Sequence, residues 1–153
     1  MSYELMTSLV MASLVLIGWK VIYNNAKKIA SRNETYSVSN QILSILSDIQ
    51  KMSESFWIRD EFNENPQFYE LLVLSKTKQI SSKIKVLKGR NVDVYDINRL
   101  VFPIRKSCTL DIHLVTSKGV DGRREQLEQI LNATLAFEQA LDKQMQLTFP
   151  SNY

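Results

Sequence analysis

The sequence predicts an all-α protein: an N-terminal single transmembrane helix followed by an antiparallel helical bundle of about four helices. Three observations predict it. An uncharged run of 15 residues, Leu5 to Trp19, opens the chain. Apolar residues in the remainder recur at intervals of three and four, the spacing that builds one face of a helix. With only four Gly and three Pro in 153 residues, the chain is too poor in turn formers for an all-β fold or for long flexible linkers. The expected organisation is an anchor over 1–23, a basic juxtamembrane linker over 24–33, a helical bundle over 34–149 and a short tail over 150–153.

The anchor is justified by length and by its flanks. Lys20 interrupts the apolar run, but near a helix end its stem lies along apolar surface while its ammonium reaches the headgroups. Counted through Lys20, Leu5–Tyr23 is 19 residues, roughly 28 Å at about 1.5 Å per residue, close to a bilayer core of about 30 Å. Trp19 and Tyr23 stand where an interfacial aromatic belt places such rings. A secretory signal needs positive charge before its apolar run; here Glu4 precedes it, and Lys20, Lys27, Lys28 and Arg32 follow. The positive-inside bias therefore predicts an N-terminus outside and a C-terminal domain in the cytoplasm, at an inner, cytoplasmic membrane.

The stretch "YELMTSLVMASLVLIG" resembles the start of a type IV pilin, in which a Glu precedes a long apolar helix. The resemblance covers this stretch alone. Lys20 breaks the apolar helix early, and a single Cys provides no disulfide for the strand-rich head usual in that family.

Further along, Asn24 and Asn25 are expected to end or loosen the anchor. Ser31 and Glu34 form a capping-box pattern that starts a new helix near Arg32, running to about Glu61. Val38, Ile42, Ile45, Ile49, Met52 and Phe56 make a heptad-like seam, widened by Leu43, Leu46 and Trp57. The seam alone would suit a coiled coil with a second copy; the wide stripe favours an intrachain bundle. Asn65 and Pro66 read as N-cap and first residue of a second helix, carrying Tyr69, Val73, Thr77, Ile80, Ile84 and Leu87, with Gly89 as its stop. Asp93 is expected to cap a third segment from Ile97 to Val115, kinked or restarted at Pro103 and closed by Gly119. Asp121 is expected to cap a fourth, with Leu127, Ile130, Leu131, Phe137, Leu141 and Met145, ending before Pro150. Strands are the alternative over "KIKVLKGRNVDVY" and "CTLDIHLV".

The net charge of +3 hides segregation. Ser75–Arg124 holds twelve Lys/Arg against four Asp/Glu, whereas Ser44–Leu74 and Glu125–Tyr153 are both net acidic. Lys76, Lys83, Lys85, Lys88, Arg90, Arg105, Lys106, Arg123 and Arg124 are thus the candidate patch for an anionic partner, set against the plainer reading of solvated faces. Nucleic acid would be bound with a steep salt dependence, anionic lipid only if the block lies near the bilayer. Tyr95 and Phe102 alone interleave the block, too few rings for a single-strand binder.

Catalytic patterns are missing. No phosphate-binding glycine loop, dinucleotide fingerprint, nucleophile elbow or HExxH motif occurs. Cys108, Asp111 and His113 are close in sequence, but Cys108 lies on an apolar stripe, where a Cys is usually a small buried hydrophobe. With one His and one Cys, no usual zinc site can be built, and no cofactor is expected. The single Cys also excludes an intrachain disulfide and weakly favours a reducing compartment. Phe56 belongs to the seam, and Trp57, Phe62 and Phe68 are expected to cover one end of the bundle, with a partner-binding aromatic patch as the alternative. Asn33 and Asn132 head glycosylation sequons that matter only on an extracellular side.

The expected function is non-enzymatic: a membrane-anchored helical interaction module, a small subunit or regulator of a membrane-associated complex, with a protein partner or homo-oligomer. Binding of nucleic acid or anionic lipid through 75–124 is the second reading, and a membrane-perturbing effector the third. The architecture resembles that of small bacterial or phage-encoded membrane proteins, which assigns no function.

Overall fold

The structure, a computed structural model, describes residues 3–59 and 65–150. It is all-α, with no strand among the described residues: α1 (Tyr3–Trp57), α2 (Pro66–Gly89), α3 (Tyr95–Thr109), a single 3-10 turn at Ile112–Leu114, and α4 (Val120–Thr148). The chain divides into two compact units, Met1–Thr35 and Tyr36–Tyr153.

The first unit is helical from Tyr3 onward, and every described side chain from Met6 to Glu34 is exposed. The side chain of Leu5 lies outside the described ones. The expected break at Asn24–Asn25 and the fresh start near Arg32 do not occur. Two asparagines cost a helix only about 0.7 kcal/mol each relative to Ala, too little to end it without a competing structure. An N-cap at Ser31 would need a non-helical backbone. Instead the Ser31 carbonyl accepts the Thr35 hydroxyl at 2.8 Å, a bond back along the turn within a helix.

The second unit is an antiparallel four-helix bundle, and its hydrogen bonds give the direction of each helix. Ser53, Asp48 and Gln41 of α1 meet Tyr69, Lys76 and Lys83 of α2 in turn. One number falls as the other rises, so α1 and α2 are antiparallel. Gln50 meets Thr134, and Tyr36 meets Phe149, so α4 is also antiparallel to α1. Helix α3 returns along α2, with Cys108 reaching the Ser53 and Tyr69 level. The bundle therefore has a Tyr36 end, shared with Lys83 and Phe149, and a Trp57 end, shared with Tyr69 and Cys108.

The element boundaries follow local chemistry. Asn65 Oδ1 accepts the Phe68 N–H at 3.0 Å, and Pro66 fills the first helical position. Gly89 is the last residue of α2 rather than the left-handed stop; that conformation falls on Asn91 (φ 63°), a residue type that tolerates it. Asp93 Oδ1 accepts the Tyr95 N–H at 3.0 Å, one residue before the formal cap, Val94. Helix α3 runs through Pro103, which is exposed; its missing N–H costs the ladder one bond. The segment expected to continue to Val115 instead ends at Thr109, where Leu110 turns extended and Asp111 left-handed (φ 58°). Gly119, not Asp121, is the N-cap of α4; Asp121 lies in its first turn, where a carboxylate suits the helix dipole.

The core is filled by the bundle's own side chains. Ile42, Leu46, Ile49, Phe56, Trp57, Tyr69, Ile80, Ile97, Ile104, Ile130, Phe137 and Leu141 are fully buried. Phe56 stacks on Tyr69 with centroids 4.1 Å apart and meets Trp57 edge-on at 5.2 Å. Such pairs add about 0.5–1.5 kcal/mol beyond area burial. Helix α1 ends at Trp57, short of the expected Glu61; Phe62 lies outside the described residues, and Phe68 is half exposed rather than a lid.

Candidate functional site

Three candidate surfaces emerge: the apolar segment, the α1 seam and the cations of 75–124.

The apolar segment is long and apolar enough to cross a membrane, and none of its best window is buried. Leu9, Val10, Met11, Leu14, Val15, Leu16 and Ile17 point around the whole helix circumference and are all more than half exposed. Trp19 and Tyr23 are exposed in the same manner, and Lys20, Lys27 and Lys28 stand on the following turns, equally exposed.

The seam on α1 faces inward. Ile42, Ile45, Ile49 and Phe56 are buried, while Val38 and Met52 sit half-buried at its margin. The centre of the buried face is completed by Ser39, Leu46 and Ser53. Hydropathy does not flag those serines, yet Ser53 organises the polar heart of the bundle. Its hydroxyl donates to the Ile49 carbonyl at 2.8 Å and so accepts from the Tyr69 hydroxyl at 2.8 Å. The Cys108 sulfur lies 3.9 Å from the same oxygen. Burial pushes the Cys108 thiol up to about 11, and pushes the Tyr69 phenol further above its ordinary range, with Cys108 reinforcing it. Both therefore stay protonated and neutral near pH 7, which favours packing over nucleophilic chemistry.

The sequence neighbours of Cys108 do not converge on it as a catalytic set. Asp111 pairs with Lys118 at 3.1 Å, and His113 is exposed on the 3-10 turn. No His/Cys/Asp/Glu group able to hold a metal occurs among the described residues.

The cations of 75–124 are divided by the fold. Lys76 pairs with Asp48 at 2.6 Å, and Lys83 donates to Gln41 Oε1 at 2.6 Å. These two fasten α2 to α1. Lys85, Lys88 and Arg90 fall at the Tyr36 end, joined by Arg99 of the same 75–124 block. Arg105, Lys106, Arg123 and Arg124 fall at the Trp57 end, around the Gln126–Ser107 bond of 2.7 Å that ties α4 to α3. There Arg124 lies 3.9 Å from Asp121, and Lys118 sits over the Trp57 ring at 5.6 Å. Trp57 Nε1 is the one buried side-chain polar atom without a partner among the described residues.

No family model, curated protein or solved structure matches this chain.

Proposed function

We propose that this chain is a single-pass membrane protein, N-terminus outside and helical bundle in the cytoplasm, acting as a non-enzymatic interaction module. In this reading it is a small subunit or regulator of a membrane-associated complex. One observation carries it: the bundle completes its core from its own residues, while the apolar face of Met6–Tyr23 is exposed all around. An apolar surface of this extent in water is a liability unless lipid or another protein covers it. A helix that is apolar on every side, as long as a bilayer is thick, suits lipid. The following cations Lys20, Lys27, Lys28 and Arg32 favour the cytoplasm for the bundle. Anchoring raises the bundle's effective concentration at the membrane, so a modest helix-face contact suffices to recruit a partner.

The test is fractionation with protease access on a C-terminally tagged chain. Retention in carbonate-washed membranes, with the tag shielded until the cells are opened, is expected. A carbonate-soluble chain would overturn the anchor, and a tag cleaved in intact cells would invert the topology.

A further inference from the structure

At the Tyr36 end, α2 and α3 meet at a sharp return through Arg90–Val94 and leave a groove of about 500 Å³ between them. Its floor is apolar, from the buried Ile84 and Val92. Its walls carry Lys85 and Lys88 from α2, Arg99 and Asn98 from α3, and Asp93 as the sole carboxylate. Lys85, Lys88 and Arg99 make no ion pair among the described residues. The helix dipole explains Lys88, in the last turn of α2; it does not explain Lys85, a turn earlier, or Arg99 on the second helix. Arg99 is steadied by its own helix, with its guanidinium 5.6 Å from the Tyr95 ring centroid. Asp93 already accepts the Tyr95 N–H at 3.0 Å, so part of its charge is engaged with the start of α3. That start itself lines the groove, through Val94 and Tyr95; its first turn already carries a carboxylate, Asp96, so the cations and not the helix end supply the attraction for an anion.

We infer that this groove is a binding site for a phosphate monoester group. Three cations against one carboxylate leave a net charge of +2, which matches the roughly −1.5 to −2 of a phosphate monoester near neutral pH. The three cations share one groove between α2 and α3, rather than lying along a track that a polyanion could follow. The group can arrive as a soluble phosphate or as the headgroup of a phosphatidic acid; only the lipid source rests on the proposed anchor.

The full chain, isotope-labelled and reconstituted in nanodiscs, separates the two. One arm uses phosphatidylcholine nanodiscs titrated with inorganic phosphate; the other adds phosphatidic acid to the bilayer. Saturable movement of the Ser81 and Asn98 amide signals is expected in at least one arm. The phosphate arm identifies a soluble ligand, and movement with phosphatidic acid alone identifies the headgroup. The double variant Lys85→Ala/Arg99→Ala should weaken the response about tenfold or more, since it removes two of the three cations that face the group. The pair Arg105→Ala/Lys106→Ala, at the opposite end, should leave it unchanged. Both pairs are exposed, and an unaltered melting curve verifies that each variant is folded. Absence of saturable movement in both arms, or equal weakening by both pairs, would overturn the site.

Discussion

Leu14 and Leu46 sit on the same helix, α1, yet the first is 59% exposed and the second fully buried. The contrast extends to their neighbourhoods. Around Leu46 the apolar residues form one stripe, and the stripe is matched by α2, α3 and α4. Around Leu14 they occupy every side of the helix, and no described residue covers them. One region therefore supplies its own apolar phase, and the other leaves its apolar surface exposed, which in the proposed reading lipid covers. The two regions should respond independently to mutation.

The largest expected effect is in the bundle. Phe56→Ala removes the ring that stacks on Tyr69 and meets Trp57, and should cost about 3–5 kcal/mol of bundle stability. A denaturant melt of the reconstituted chain checks this, and membrane retention should be unaffected. Leu14→Arg should do the converse. A charge at the centre of a spanning helix costs about 2.5–3.5 kcal/mol of insertion, so the carbonate-resistant fraction should fall while the bundle melts as before. If either variant disturbed both properties, the separation of the two regions would be wrong.

A smaller effect depends on pH. The folded Cys108 thiol is pushed up to about 11 from an ordinary 9.0, chiefly by burial. The unfolded thiol ionises first, so its contribution to stability is complete below pH 9 and is lost as pH rises towards 11. Tyr69 acts with the same sign, but only above its ordinary 10.0. Melts between pH 9 and 10 therefore isolate Cys108, and Cys108→Ala should flatten the decline in that window. The smallest effect is expected of Lys76→Ala: its pair with Asp48 is partly solvated, and such pairs are worth below about 1 kcal/mol.

The sequence was informative where a local signal matched the tertiary outcome. Asn65–Pro66 marked the start of α2, and the three-four spacing of Tyr69, Val73, Thr77, Ile80, Ile84 and Leu87 matched its buried face residue for residue. It misled where a pattern admitted two backbones. Ser31 and Glu34 have capping-box spacing, but the same residues are tolerated inside a helix, and α1 continues through them. The seam could be placed on α1 but not centred, because Ser39 and Ser53 are buried through hydrogen bonding and steric fit rather than hydropathy. The cations formed one block in the chain; in space Lys76 and Lys83 fasten α2 to α1 and the others divide between the two ends of the bundle. Only the antiparallel return of α3 along α2 brings Lys85 and Arg99 to one groove and leaves Arg105 at the other end. No local feature of the sequence encodes that separation.

The most direct test of the central claim, that lipid covers the apolar segment and the bundle's own helices cover its core, is a nitroxide accessibility scan of the reconstituted chain. Labels would be placed one at a time from Leu9 to Ile17, clear of the interfacial Trp19–Tyr23 end, and, for comparison, at exposed bundle positions such as Lys78 and Gln139. Every label in the segment, on all sides of the helix, is expected to relax through oxygen dissolved in the bilayer and to be shielded from a water-soluble nickel complex, while both bundle labels show the reverse. Nickel access along the segment, or shielding from both reagents on one side only, would contradict it.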